Sequence, residues 1–90
     1  MQVSQIFLND DDSLELSPFL QYATSTVKDV FSGADYKLYG RQALRELIKS
    51  HYDEEVLWAF DTLRPHAYKA DLGRFCILNA IGGWYFDIGV

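Results

Sequence analysis

The sequence predicts an α/β fold, a small parallel sheet with crossover helices, and three observations lead there. Short apolar runs rich in β-branched and aromatic residues stand at Val3 to Leu8, Tyr36 to Tyr39 and Trp84 to Phe86. Between them lie stretches with apolar residues at helical spacing, bounded by helix start and stop signals. Strands separated by helices imply parallel pairing through right-handed crossovers.

The first strand gives way to Asn9-Asp10-Asp11-Asp12-Ser13, an acidic, turn-forming loop. Ser17-Pro18 reads as a helix start, with a hydroxyl at the N-cap and a proline where a missing N–H costs nothing. Phe19, Leu20, Ala23, Val27, Val30 and Phe31 follow at helical spacing, with Gly33 as the stop. Gly40 closes the second strand. A helix is expected over Gln42 to Lys49, with Ala43, Leu44, Leu47 and Ile48 on one face. Asp53 can cap a further helix carrying Val56, Leu57, Phe60 and Leu63. Pro65 breaks that helix or begins the next, and Tyr68 to Ala80 reads as a long, mostly apolar helix, which Gly82-Gly83 terminates. Trp84-Tyr85-Phe86 then reads as the core of a central strand. Ligands on parallel sheets sit beyond the carboxyl ends of the strands. The Asn9 to Ser13 loop, the residues after Tyr39 and Asp87-Ile88-Gly89 are therefore expected to share one rim.

The chain has 90 residues, which allows one domain, 1–90. A hydrophobic fraction of 49% and an aromatic fraction of 16% are those of a folded chain. The formal net charge is −5, and the eight basic residues are scattered along the sequence, so nucleic acid is not expected as a partner. Cys76 is the only cysteine and sits in an apolar run, where a buried, inert thiol is expected. The N-terminus lacks the basic start and apolar run of a signal peptide, and no stretch approaches a transmembrane segment. The chain reads as cytoplasmic.

Few residues announce chemistry by spacing alone. Asp71 and Arg74 lie three apart on one helix and project from one side, which is also the spacing of an ordinary surface ion pair. Gly73 between them costs helix stability, a sign that something packs close. Asp87 follows a strand read as buried, and a carboxylate there needs a hydroxyl, cation or N–H beside it. Asp10, Asp11 and Asp12 point in different directions and lack the alternation of a calcium loop, so they read as a solvated run. His51 and His66 have no partner at metal-ligand spacing.

The segment Lys69-Ala70-Asp71-Leu72-Gly73-Arg74-Phe75, continuing through Gly82-Gly83-Trp84-Tyr85-Phe86-Asp87-Ile88-Gly89, resembles the signature of GT-A-type glycosyltransferases with a DXD-containing sugar-binding region. Capsular polysaccharide and initiating mannosyltransferase-like proteins carry it as A-D-x-x-R-[YF], then G-G-x-Y-x-D-x-D. Every fixed position is met except the last, where Gly89 replaces aspartate. Ser4-Gln5-Ile6-Phe7 and Tyr36-Lys37-Leu38-Tyr39 resemble the family's first two strands, so the likeness runs over the whole chain.

The resemblance implies a nucleotide-sugar-dependent hexosyltransferase of polysaccharide or glycoconjugate synthesis, this chain supplying part of the donor site. It implies that Asp71 and Arg74 bind the donor sugar and its diphosphate, that Asp87 contacts ribose or sugar, and that Phe7 lies by the base. The donor would be a UDP- or GDP-linked sugar, with a saccharide acceptor. The family holds Mn2+ or Mg2+ through the second DXD aspartate; Gly89 offers no ligand, so no metal residue is expected here. The expected partial domain would not transfer sugar efficiently alone, and its exposed apolar surface would favour self-association. The alternative is a non-catalytic relative that binds a nucleotide sugar or a protein. A glycoside hydrolase is poorly supported, since no second carboxylate is placed to pair with Asp87.

Overall fold

The computed structural model describes residues 1–9 and 15–88. Three strands, β1 (Gln2–Ile6), β2 (Asp35–Tyr39) and β3 (Trp84–Tyr85), form one parallel sheet in the order β2-β1-β3. Four helices connect them: α1 (Pro18–Val30), α2 (Arg41–His51), α3 (Glu54–Thr62) and α4 (His66–Ala80). The expected α/β architecture is the one observed. β1 is shorter than its apolar run, because after Ile6 the pairing continues only as the Phe7 amide donating to the Tyr39 carbonyl at 2.9 Å.

The start signals act as their chemistry predicts. Ser17 accepts from the Leu20 amide and Asp53 from the Val56 amide, each satisfying an otherwise unpaired N–H of the first turn. α4 begins at His66, directly after Pro65, two residues earlier than the apolar spacing suggests.

The core lies between the sheet and α2, α3 and α4. Leu44 and Ile48 of α2, Phe60 of α3 and Cys76 and Ile77 of α4 pack with Ile6 and Tyr39 from the strands. Burial raises the Cys76 thiol above its ordinary pKa, and a hydrogen bond with Tyr52 opposes the rise. Gly73 is buried in this seam. A methyl group added there would stand 3.0 Å from a Leu44 methyl and 3.2 Å from an Ile6 methyl, the close approach its position hinted at.

α1 does not bury its whole apolar set: Phe19 and Val30 are exposed, and Thr24 is its one buried residue. A three-stranded sheet offers a narrow face, so only the Leu20, Ala23, Thr24, Val27 and Phe31 stripe turns inward. β3 is not a central strand. It pairs only with β1, spans two residues, and leaves Trp84 53% exposed.

Gly82 and Gly83 turn the chain from α4 into β3, both at φ +81°. At Gly83 the requirement is double, because a side chain would also run into the Gln2 backbone carbonyl.

Candidate functional site

Sheet order fixes where a ligand has room. From β1 the chain crosses to β2 through α1, and from β2 it returns past β1 to β3 through α2, α3 and α4. Phe86 and Tyr36 meet Phe31 and Lys28, at and within the end of α1, while Tyr39 and Tyr85 lie against the core formed with the other helices. The two connections thus cover opposite faces, and the point where the strand order reverses lies between β1 and β3. A crevice forms at the carboxyl ends of such strands. Phe7 follows β1 there, and Asp87 follows β3.

α4 brings Asp71 and Arg74 to the same region. The Arg74 guanidinium nitrogen stands 3.5 Å from an Asp71 oxygen, with both side chains well exposed, so the pair itself adds little stability. The Arg74 guanidinium carbon lies 5.9 Å from the centroid of the Tyr85 ring, within cation–π range.

Tyr85 ties the three charged residues together. Its hydroxyl pKa is pushed up to about 12, first by burial and then by the charge of Asp87; Asp71 adds to the rise and Arg74 opposes it. The phenol therefore stays protonated at neutral pH and remains a hydrogen-bond donor. Sequence reading took Tyr85 as core packing. Alternation is the available signal: in extended chain, residues two apart such as 85 and 87 lie to one side.

Asp87 itself is exposed, so its carboxylate is not the buried one expected after a central strand. Its main chain is held from beneath. The Gln5 side-chain amide donates to the Asp87 carbonyl at 3.2 Å, and the Tyr36 hydroxyl donates to the Gln5 carbonyl oxygen at 2.7 Å. This chain of bonds crosses all three strands.

Phe7 lines an open cleft of about 340 Å³ with Leu20 of α1, His66 and Ala70 of α4, and Ile88. Ala70 and Ile88 are the chain neighbours of Asp71 and Asp87, so the cleft adjoins the charged cluster without containing it. Asp71 and Arg74 instead line a shallow depression on the outer side of α4, with Phe75, Leu78 and Asn79. Phe7 thus lines one surface, and Asp71 and Arg74 line a separate one.

Among the described residues, no group of three or more His, Cys, Asp or Glu side chains could hold a metal ion. Gly89, where the DXD-type pattern calls for a ligand, lies outside the described residues, as do Asp10, Asp11, Asp12 and Ser13 of the expected rim loop. No helix among the described residues is long and apolar enough to cross a membrane.

The chain is 27% identical over 86 residues to an uncharacterised glycosyltransferase of Acanthamoeba polyphaga mimivirus. The alignment covers 96% of this chain and 34% of that protein, so the chain spans about a third of the length of the curated relative it matches. No protein-family model matches it, and no solved structure does. The similarity to the viral protein supports a distant relationship to glycosyltransferases.

Proposed function

We propose that this chain forms part of the nucleotide-sugar site of a glycosyltransferase that moves a hexosyl unit to a saccharide acceptor. The observation that carries the reading is the gathering of Asp71, Arg74 and Asp87 around Tyr85, beside the cleft that holds Phe7. The distant relationship to a glycosyltransferase supports it. Carboxylates suit the hydroxyls of ribose and sugar, a guanidinium suits a diphosphate, and an aromatic ring suits a base.

The reaction would be a substitution at the anomeric carbon. The bond to the diphosphate oxygen breaks with its electron pair, the acceptor hydroxyl oxygen forms the new bond, and the hydroxyl proton leaves to a base. Charge builds on the departing nucleoside diphosphate, and Arg74 would neutralise part of it. The Tyr85 hydroxyl, kept protonated, is held by the Asp87 carboxylate. In the family a Mn2+ or Mg2+ ion shares that charge, and Asp87 is the one DXD-type carboxylate this chain retains.

The test is an NMR titration with UDP-glucose and GDP-mannose, with and without Mn2+. Shifts confined to Phe7, Asp71, Arg74, Tyr85 and Asp87 are expected. Silence at millimolar ligand overturns donor binding by this chain.

A protein-binding module is a second reading, favoured by exposed apolar side chains beside the same residues. Phe75 is 65% exposed, and Leu78 is exposed beside it in the same depression. Burial of such a patch against a second copy would give the self-association expected from the sequence. Sedimentation across a concentration series tests it: a mass that rises with concentration supports the reading, and a constant monomer contradicts it.

A further inference from the structure

Basic residues scattered in the sequence are gathered by the fold. Arg41, Arg64 and Lys69 line one cavity of about 420 Å³ at the carboxyl rim of the sheet, with Asp61 and His66. Three of the eight lysines and arginines thus line one space, and a fourth, Arg45, is bound to its Asp61. Their charges act on one another. Burial first, then the charges of Arg41, Arg64 and Arg45, push the Lys69 ammonium below its ordinary pKa, with Asp61 opposing.

Two negative features explain part of this gathering. Asp61 is a carboxylate, but both of its oxygens are already engaged by Arg45, at 2.8 and 3.0 Å. Lys69 is 8% exposed and donates to the Phe60 and Asp61 carbonyls, 2.9 and 3.2 Å away, where α3 leaves acceptors unpaired. An ammonium has three donors, so one remains. Arg64 is exposed at the cavity wall. Two helix starts, at Arg41 and His66, also form the wall, and neither carries a side-chain cap. After Asp61 and the end of α3 are counted, Arg64 still presents its guanidinium at the wall, in a chain whose net charge is −5.

We propose that this cavity is an oxyanion site that takes a phosphoryl group, apart from Arg74 and independent of the donor reading. A guanidinium fork and a buried ammonium match the charge and several acceptor oxygens of a phosphate dianion. The same chemistry would serve free phosphate or the phosphate of a sugar phosphate.

The experiment is an NMR titration of the whole chain with inorganic phosphate, against chloride at matched ionic strength. Saturable shifts at Arg41, Asp61, Arg64 and Lys69 are expected with phosphate and not with chloride. Arg64→Ala should weaken binding about fivefold or more, and Arg64→Lys should weaken it less. Lys49→Ala, which removes an exposed cation outside the lining, should leave it within about twofold. Glucose 1-phosphate binding tighter than phosphate would mark a sugar phosphate as the source; equal affinities would mark the free ion. Equal shifts with chloride, or unchanged affinity in Arg64→Ala, would overturn the site.

Discussion

Gln5 holds the main chain of Asp87 from the neighbouring strand, its side-chain amide donating to the Asp87 carbonyl at 3.2 Å. The glutamine is 1% exposed, and its other end accepts from Tyr36 at 2.7 Å. A buried polar side chain in a strand is costly unless both ends are satisfied, and here both are. The bond fixes the point where β3 leaves the sheet, and with it the place of the Asp87 carboxylate.

Replacing Gln5 with leucine keeps the volume and removes both bonds. The Tyr36 hydroxyl and the Asp87 carbonyl lose their partner, at a cost of about 1–3 kcal/mol for each group that stays buried and unpaired. Chemical denaturation should show that loss, and the Asp87 amide resonance should move. An unchanged midpoint would mean water replaces the side chain.

The glycines should separate by what surrounds them. Gly83→Ala meets both positive φ and the Gln2 carbonyl, so it should unfold the chain or come close to it. Gly73→Ala presses on the movable ends of Leu44 and Ile6 and should cost about 1–3 kcal/mol. Gly82→Ala, at φ +81° in open space, should cost about 1–2 kcal/mol. Urea midpoints test this order, and Gly83→Ala as the mildest of the three would refute the packing argument.

Tyr85 should titrate late. Its folded pKa of about 12 stands above the ordinary 10.0, so the folded state holds that proton more tightly than the unfolded one. The stability this confers is complete below about pH 10 and is lost as pH rises through 12. Phenolate absorbance should therefore contain a late step that Tyr85→Phe removes. Because burial also raises Tyr36, the comparison of the two titrations identifies the residue. A late step that survives in Tyr85→Phe would place the perturbed phenol elsewhere.

Much of this fold is legible in the sequence, for local reasons. Ser17 and Asp53 announce helix starts because a side-chain oxygen can satisfy a first-turn amide without help from the rest of the chain. Leu44, Leu47 and Ile48 announce a buried face by spacing. What escapes is what depends on partners far along the chain. Trp84 reads as central until the sheet order puts β3 at an edge. Phe19 and Val30 share the helical spacing of Leu20 and Val27, and which of them turn inward depends on the width of the sheet. Arg41, Arg45, Arg64 and Lys69 read as scattered until α2, α3 and α4 fold together. At the candidate site Asp71, Arg74 and Asp87 stand out only by the family resemblance. That they converge on Tyr85 is not legible in the sequence, because convergence is a property of α4 against β3.

The most direct measurement compares the affinities of UDP-glucose and uridine for the wild-type chain and Arg74→Ala by calorimetry or NMR. If Arg74 meets the diphosphate, the variant loses about tenfold or more for UDP-glucose and nothing for uridine. Equal losses for both ligands, or none for either, would contradict the assignment of Arg74 and with it the proposed donor site.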